Sequence, residues 1–508
     1  MTRTVLICLA VVSATMVLAA PEPSALGETV KFSLLVDKVM HPAAGATSAQ
    51  WIVEETATAG FNVYSPRLGY DDLQMVRDVT DWCAASDIYH MVWMRGTLAA
   101  PEGEGAAGKR CVWANGHEEL LWSPNSDEFW EWTSRYITEY ARISAEKPAL
   151  LGVILDYENY APGEGVGFLY PYSYDDIILA DFAQAQGIEL PELALDARAS
   201  WLEEQGLHEQ FRQFQLDGWR ERCRALREAV DAHNPDFRFV IYPGPGQPFT
   251  GQAAGVEWST ERAPVIFATP RTYGRITKFA PQEATIEANG GVLTALVEEA
   301  QALGVPFHYL GGIDPVVQGA DPEFCGRNAV VLAEHGDGYW VFYEGPVYGE
   351  DHPEYFRWFA RANDVIAREE WEFALAPRET PVSWDLDPRV VAAGTVPPEW
   401  TGETVQFPQA FFRGDYLLVV NTKAGEPVTL TLQLNPLGRE WAQLFYVVHD
   451  PAGVRLSGGG IKERTAQVTF TPEVDGLHLI GFSAGDWGGA WRIISSNAPV
   501  GIEWRESL

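Results

Sequence analysis

The chain has 508 residues, of which 46% are hydrophobic, and its 36 basic and 70 acidic residues give a formal net charge of −34. This length can bury the cores of two or three domains. Binding to nucleic acid or to anionic membranes requires clustered Lys and Arg, so the charge balance argues against both kinds of partner. The acidic residues are spread along the chain, which is typical of a well-solvated surface.

The first twenty residues have the pattern of a secretory signal peptide (1–20). Arg3 supplies the positive end, VLICLAVVSATMVLA supplies the apolar core, and Val17 and Ala19 form a cleavage site before Ala20. We therefore expect a secreted or periplasmic protein, with no membrane insertion after cleavage, because no other stretch is apolar enough to span a bilayer. The mature cysteines lack metal-ligand spacing and fit either one or two disulfides or four buried thiols; they are Cys83, Cys111, Cys223 and Cys325.

Strand-like and helix-like segments alternate from about residue 30 to residue 370. The strand candidates are 31–37, 61–68, 88–96, 150–158, 237–244, 264–270, 306–314 and 338–345. The fifth unit is the weakest, because little helix separates its strand from the sixth. This alternation predicts a parallel sheet, and eight units predict an α/β fold, a (β/α)8 TIM barrel over residues 28–370. The alternative is an open doubly wound sheet, but no GxGxxG motif follows the first strand.

The composition changes after Trp371. A proline-rich stretch, residues 371–400, reads as a connector, and residues 401–508 carry short alternating runs such as VTLTLQLN and LHLIGFS. This pattern predicts an all-β sandwich domain. Its tryptophans could belong to a carbohydrate-binding module, but several lie among apolar neighbours, so we expect a packing partner of the barrel instead.

Chemically active side chains occur at the ends of the predicted strands. The carboxyl ends of barrel strands meet at one face, and the active sites of TIM-barrel enzymes lie there. Several of these side chains are aromatic, and pyranose rings stack on such flat faces. The pattern indicates a carbohydrate site whose candidate substrate-binding residues are Asp37, Arg67, Trp93, Arg95, Tyr160, Tyr242, Tyr273 and Tyr309.

The stretch GVILDYENY carries the fourth strand directly into carboxylates. Side chains two apart on a strand share a face, so Asp156 and Glu158 should point the same way, above Ile154, while Tyr157 points towards the helices. Adjacent carboxylates repel, which favours retention of a proton by one of them. A protonated Glu158 beside an ionised Asp156 is what a general acid requires. The alternative is a carboxylate pair neutralised by the arginines of strands two and three.

The LDYE ending resembles the Asp-aromatic-Glu end of the chitinase-like signature, Asp-Gly-x-Asp-x-Asp-aromatic-Glu. An exported barrel with an acidic fourth strand and a following sandwich is also similar to glycoside hydrolases in general. The resemblance implies that Glu158 is the general acid and that Asp156 orients an N-acetyl group of the substrate. It rests on Gly152, Asp156 and Glu158, because Leu151 and Ile154 stand where the signature has its other aspartates.

A second mechanism is open on the same barrel. Many retaining barrel glycosidases resemble this arrangement in placing the acid/base on strand four and the nucleophile on strand seven. Here strand seven offers Asp314 and strand eight offers Glu344, although Asp314 precedes Pro315 and equally fits a turn. The separation of the carboxyl groups, about 5 Å for retention and roughly 6.5–9.5 Å for inversion, cannot be read from a sequence.

We therefore expect an exported glycoside hydrolase that acts on an oligosaccharide or polysaccharide. The competing class is a non-catalytic carbohydrate-binding or cell-surface protein on the same barrel. No cofactor or metal is implied, because the sequence has no HExxH or P-loop motif. The sequence leaves the oligomeric state, the sugar and the linkage open.

Overall fold

The structure is a computed structural model, and it describes residues 22–158, 172–274, 283–315, 320–376, 416–436, 444–451, 455–483, 490–498 and 500–504. The predicted signal peptide, the candidate Tyr160 and most of the predicted connector lie outside these residues. The predictions of the signal peptide, the connector and the domain boundaries therefore stay predictions.

The eight predicted strands all form, and a short hairpin interrupts their series after the third. The strands of this part of the chain are β1 (Phe32–Asp37), β2 (Val63–Pro66), β3 (Tyr89–Arg95), β4 (Arg110–Val112), β5 (Glu118–Trp122), β6 (Leu150–Asp156), β7 (Arg238–Tyr242), β8 (Val265–Thr269), β9 (Phe307–Ile313) and β10 (Gly338–Tyr343). Around the barrel the order is β1-β10-β9-β8-β7-β6-β3-β2, and the closed barrel leaves β4 and β5 as a separate hairpin. The predicted TIM barrel is confirmed.

Helices follow most strands, as the alternation predicts. They are α1 (Met40–Ala43), α2 (Gln50–Thr58), α3 (Leu73–Ala85), α4 (Asp127–Glu146), α5 (Asp176–Gln186), α6 (Arg198–Glu204), α7 (His208–Asp231), α8 (Val256–Trp258), α9 (Glu283–Ala300), α10 (Pro322–His335) and α11 (His352–Ala367). Side-chain caps fix several starts: Asp72 accepts hydrogen bonds from the backbone at the start of α3, and Ser126 does so for α4. The weak fifth unit is a π-helical turn, Pro248–Gly255, followed by the single turn α8.

Alternation along the strands divides the barrel into two hydrophobic clusters. An inner cluster fills the barrel, and an outer cluster packs between the strands and the helices. On β3, Met91 and Trp93 belong to the inner cluster, whereas Val92 and Met94 belong to the outer one. The period of two thus decides which residues can reach the mouth of the barrel.

The amino-terminal end of the barrel is closed by the segment that precedes β1. Leu26 is fully buried in the inner cluster, and Arg238 of β7 donates hydrogen bonds to the carbonyls of Leu26 (2.9 Å) and Pro23 (2.8 Å). Gly27 has a φ of 89° and lies against the ring of His308, where a side chain would collide. The barrel is therefore plugged at this end, and its inner side chains meet solvent at the other.

His90 makes the barrel acid-sensitive. It is buried on β3, its Nδ1 lies 2.9 Å from Thr80 Oγ1, and its Nε2 is buried without a partner among the described residues. Burial lowers the pKa of His90 to about 3. The unfolded chain therefore takes up a proton on His90 more readily than the folded chain does. We expect the free energy of unfolding to be unaffected by this proton above pH ~6.5 and to decrease as the pH falls towards 3.

Between pH 7 and pH 4 we expect the free energy of unfolding to fall less in His90→Gln than in the wild type, because the glutamine side chain takes up no proton. Urea unfolding at the two pH values measures this. The exposed His233→Gln should behave as the wild type does, and equal acid losses in wild type and His90→Gln would contradict the assignment.

The C-terminal residues form two antiparallel sheets. Their strands are β11 (Tyr416–Thr422), β12 (Val428–Asn435), β13 (Leu444–His449), β14 (Arg455–Ile461), β15 (Thr465–Phe470), β16 (Gly476–Ser483), β17 (Ala490–Ser496) and β18 (Val500–Trp504). The sheets have the orders β14-β13-β16-β11-β18 and β15-β12-β17 and share one hydrophobic cluster, in which Trp491 packs on Phe482. An all-β domain after the barrel is thus confirmed, and its role as a packing partner stays a prediction.

The cysteine alternatives are decided for the described residues. Cys83, Cys111, Cys223 and Cys325 are all buried and free, so they form no disulfide with one another. A helix long and apolar enough to cross a membrane does not occur in the described part of the chain.

Candidate active site

The inward-facing positions of the barrel strands continue into polar side chains at the open end. On β6, for example, Ile154 lies in the inner cluster and Asp156 and Glu158 follow it on the same face, while Tyr157 packs in the outer cluster. The residues that this alternation brings to the mouth of the barrel are Lys38, Arg67, Arg95, Asp156, Glu158, Tyr242, Asp314 and Glu344. The mouth therefore holds three cations and four carboxylates.

Asp156 is the most strongly held of the carboxylates on the fourth barrel strand. It lies opposite Arg95 in the β3–β6 register, and Arg95 Nη1 donates to its Oδ2 at 2.5 Å. Arg95 Nη2 also donates to the carbonyl of Glu158 (2.8 Å), and the Glu158 backbone N–H donates to Asp156 Oδ1 (3.0 Å). Burial raises the pKa of Asp156, and the charge of Arg95 opposes that rise. The pair therefore fixes the backbone that carries Glu158.

Glu158 is less buried than Asp156 and contacts a phenol. The Tyr242 hydroxyl donates to Glu158 Oε1 at 3.3 Å. Tyr273 forms a hydrogen bond with Tyr242; burial raises the pKa of Tyr273, and the nearby Tyr242, Asp314 and Glu158 add to that rise. Asp314 itself is buried, with 4% of its surface exposed. Two phenols thus lie in the electrostatic neighbourhood of both carboxyl groups.

Arg67 lies over two aromatic rings on the other side of the mouth. Its Cζ is 4.6 Å from the centroid of Trp93 and 4.9 Å from that of Phe342. Burial lowers the pKa of Arg67, and the charges of Asp156, Glu344 and Glu158 oppose this effect. Arg67 is therefore close enough to interact electrostatically with the carboxylates that follow β6 and β10.

Glu344, at the end of β10, forms an ion pair with Lys38, which follows β1. About a third of each of these side chains is exposed, namely 31% for Glu344 and 37% for Lys38. A pocket opens beside them, lined by Lys38, Val39, Pro42, Ala43, Glu344, Gly345, Pro346 and Tyr348. Glu344 is thus a solvent-reachable carboxylate that already has a counter-ion.

Aromatic rings form the inner wall of the cleft. Tyr242 and Trp340 meet edge to face at 5.1 Å, and Tyr273 lies 5.8 Å from Trp340. Trp340 Nε1 donates to the carbonyl of Thr269 (3.1 Å). Gly312 leaves room for this arrangement, because a Cβ there would lie 2.6 Å from the ring of Tyr273. Trp340 and Tyr242 are almost fully buried, so the partly exposed ring of Tyr273 is the part of this wall on which a sugar ring can stack.

The structure brings together Arg67, Trp93, Arg95, Asp156, Glu158, Tyr242, Tyr273, Asp314 and Glu344. It does not bring Asp37 or Tyr309 to the cleft. The carboxylate of Asp37 is fully buried and accepts hydrogen bonds from the backbone N–H groups of Val39, Met40 and His41. Tyr309 packs in the outer cluster. Both residues occupy the outward-facing positions of their strands, and the substrate-binding role of Tyr160 stays a prediction outside the described residues.

Three cleft residues were missed by the sequence analysis: Lys38, Trp340 and Phe342. The signal that identifies them is the alternation itself. On β1, Phe32, Leu34 and Val36 form an inward series that leads to Lys38 rather than Asp37. Counting in steps of two from the buried strand residues would have found all three.

Arg95 should stabilise the fold through Asp156. Arg95→Met leaves a buried carboxylate without its cation, and we expect a loss of about 1–3 kcal/mol at neutral pH. The deficit should shrink as the pH falls, because Asp156 then takes up a proton and the unpaired charge disappears. Urea unfolding against pH measures both effects. Arg135→Met, at an exposed arginine over Tyr136, is the control; a deficit that does not change with pH would contradict the role of Asp156.

No group of three or more His, Cys, Asp or Glu side chains in the described residues is arranged to hold a metal ion.

No protein-family model matches the sequence. No curated protein sequence matches it either. Among solved structures, a β-galactosidase from Bacillus circulans sp. alkalophilus is 15% identical, with a TM-score of 0.44 over 67% of this chain and 57% of its own. A β-glucanase from Saccharophagus degradans in complex with cellotetraose is 11% identical, with a TM-score of 0.38 over 67% of this chain and 88% of its own.

A GH30 endoxylanase from Clostridium papyrosolvens C71 is 7% identical, with a TM-score of 0.34 over 90% of this chain and 97% of its own. These structural neighbours are glycoside hydrolases by their descriptions. The chain spans less than two thirds of the length of the β-galactosidases that it matches, between 56% and 62%. At these identities and scores the similarities carry no argument about the function of this chain.

Proposed function

We propose that this protein is an exported glycoside hydrolase that cleaves an oligosaccharide or polysaccharide. The observation that carries the proposal is Glu158: its carboxyl group lies at the open mouth of the barrel, hydrogen-bonded to Tyr242 and beside an aromatic wall. A carboxyl group that can reach a glycosidic oxygen while sugar rings stack next to it is suited to general acid catalysis.

Glu158 acts as the acid/base in this proposal, and Asp156 acts as a positioning residue. The carboxylate of Asp156 is almost completely buried and is already engaged by Arg95 and by the Glu158 backbone. Those contacts support a role in fixing Glu158 rather than in touching the substrate. In the chitinase-like route implied by the resemblance, Asp156 would instead receive the N–H of a substrate acetamide, and it would have to release Arg95 to do so.

Asp314 is the proposed second carboxylate. It shares the electrostatic neighbourhood of Tyr273 with Glu158, and Tyr273 is hydrogen-bonded to the phenol that contacts Glu158. Glu344 is the competitor, but its carboxylate is neutralised by Lys38. An ion pair with Lys38 lowers the nucleophilicity of Glu344, and the position of Asp314 beside Tyr273, which is linked through Tyr242 to Glu158, therefore supports Asp314.

The proposed reaction has two steps. Glu158 donates its proton to the glycosidic oxygen as the bond from that oxygen to the anomeric carbon breaks and Asp314 attacks the anomeric carbon, which gives a glycosyl ester and a free alcohol. Glu158, now ionised, then removes a proton from water as the water oxygen attacks the same carbon and releases Asp314. The product keeps the anomeric configuration of the substrate.

A hydrolysis screen of the mature protein tests this function. Polysaccharides and aryl glycosides are incubated with the chain that begins after residue 20, and released reducing ends or aryl groups are measured. Turnover of a polysaccharide that falls by at least about 100-fold in Glu158→Gln is the expected result. Sugar binding without turnover on any substrate would favour the non-catalytic carbohydrate-binding protein.

A further inference from the structure

Arg67 differs from Lys38 and Arg95 because no acceptor for its side chain is found among the described residues of the cleft. Arg95 is paired with Asp156, and Lys38 is paired with Glu344. No side-chain hydrogen bond or ion pair joins Arg67 to any residue that the structure describes, and its Nε is buried without a partner. Burial of an unpaired guanidinium donor is unfavourable, so the described residues leave the hydrogen-bonding capacity of Arg67 unsatisfied.

The Arg67 guanidinium lies over the rings of Trp93 and Phe342. Its Cζ lies within 5 Å of both centroids, at 4.6 Å and 4.9 Å. Stacking of this kind leaves the in-plane N–H donors of an arginine available to a ligand. Of the nitrogens in the Arg67 side chain, only Nε is fully buried without a partner, and the residue is partly exposed. The terminal nitrogens can therefore be reached from the cleft.

Trp93 adds a second unsatisfied donor at the same place. Its Nε1 is buried, and none of the described residues accepts a hydrogen bond from it. Indole and guanidinium nitrogens only donate, so this part of the cleft lacks acceptors rather than donors. The missing group is one that carries several acceptor oxygens.

The charge of Arg67 points to the kind of acceptor. Its electrostatic neighbours of opposite sign are Asp156, Glu344 and Glu158, and the first two are paired with Arg95 and Lys38. When Glu158 carries the proton that a general acid requires, Arg67 has no ionised and unpaired carboxylate among the described neighbours named here. A neutral hydroxyl would accept hydrogen bonds but would not supply that charge.

We propose that Arg67 binds an oxyanion on the substrate, so that the cleft takes an acidic sugar in preference to a neutral one. This inference rests on the proposed function, since it names the sugar class that the same cleft would cleave. The two parallel N–H groups of a guanidinium match the paired oxygens of a uronate carboxylate or a sulfate ester. Both groups satisfy the chemistry, and the experiment distinguishes them.

Equilibrium binding of monosaccharides tests the inference without any need for turnover. Quenching of tryptophan fluorescence is measured with glucuronate, galacturonate, a galactose sulfate, glucose and galactose. We expect at least one acidic sugar to bind about tenfold to a hundredfold more tightly than its neutral counterpart, the range that a charge-assisted contact supplies. Preference for the uronate or for the sulfate identifies the oxyanion.

The variant Arg67→Met should remove that preference, because it should weaken the binding of the acidic sugar far more than that of its neutral counterpart. Arg67→Lys keeps the charge without the paired donors and should retain only part of the preference. It also serves as the test if circular dichroism shows that the methionine variant does not fold. The exposed Arg135→Met is the matched control and should keep the full preference.

Equal affinity of the wild type for acidic and neutral sugars would overturn the inference. An equal loss of affinity for the two kinds of sugar in Arg67→Met, or an unchanged preference for the acidic sugar in Arg67→Lys, would also overturn it. Hydrolysis of a neutral glycoside that falls by at least about 100-fold in Glu158→Gln would leave the proposed function intact in each of these cases. The two ideas can therefore fail separately.

Discussion

Replacing Glu158 with glutamine is expected to lower turnover on a natural glycan by at least about 100-fold, the lower end of what general acid catalysis contributes. Glutamine keeps the shape of the side chain and can still accept the hydrogen bond from Tyr242, but it cannot donate a proton to the leaving oxygen. Sugar binding should survive, because the aromatic wall and Arg67 are unchanged. Initial rates at saturating substrate, together with fluorescence binding, measure the two effects.

A leaving-group comparison separates loss of the acid from a general disturbance of the site. A dinitrophenyl glycoside needs little protonation to depart, so the glycosylation step of Glu158→Gln should be impaired far less on it than on an alkyl glycoside. Glu298→Gln, at an exposed glutamate of α9, is the control and should match the wild type. An equal loss on both glycosides, or unchanged turnover on the glycan, would remove Glu158 from the role of general acid.

Replacing Asp314 with asparagine is expected to have a still larger effect, a loss of at least about 1,000-fold in turnover, because it removes the nucleophile of a two-step reaction. The matched variant is Glu344→Gln, which removes the other candidate carboxylate and frees Lys38. We expect Glu344→Gln to keep most of its turnover. Comparison of the two at equal folded fraction, judged by circular dichroism, measures the difference.

Covalent labelling assigns the nucleophile directly. A deoxyfluoro glycoside of the cleaved sugar should inactivate the wild type, and peptide mass spectrometry should find the label on Asp314. A label on Glu344 would transfer the role to that residue. Inhibition by a thiazoline without any label, together with a requirement for N-acetylated sugars, would replace both with the chitinase-like route in which the substrate supplies the nucleophile.

Much of the fold could be read from the sequence because its signals are local. Strand and helix periodicity within each unit predicted the eight strands, and β1, β6 and β10 each lie within the predicted segments. The same period of two placed Asp156 and Glu158 on one face, since that requires only that the segment be a strand. The same rule shows why Asp37 of β1 and Tyr309 of β9 were wrong candidates for the cleft. Both occupy outward-facing positions of their strands, on the side of the helices.

The pairing of charges was decided only by closure of the barrel. Arg95 meets Asp156 because β3 lies beside β6 in the register that sets these two residues opposite each other, although 61 positions separate them in the chain. Lys38 meets Glu344 because the first and last strands of the barrel are neighbours, 306 positions apart. Arg67 is left over the rings of Trp93 and Phe342, and no side chain in the described part of the chain accepts a hydrogen bond from it. The sequence by itself determined which residues could be charged partners at the mouth of the barrel. Tertiary structure decided which of them neutralise each other, because an ion pair depends on distance in space, and that distance is set by strand order and register.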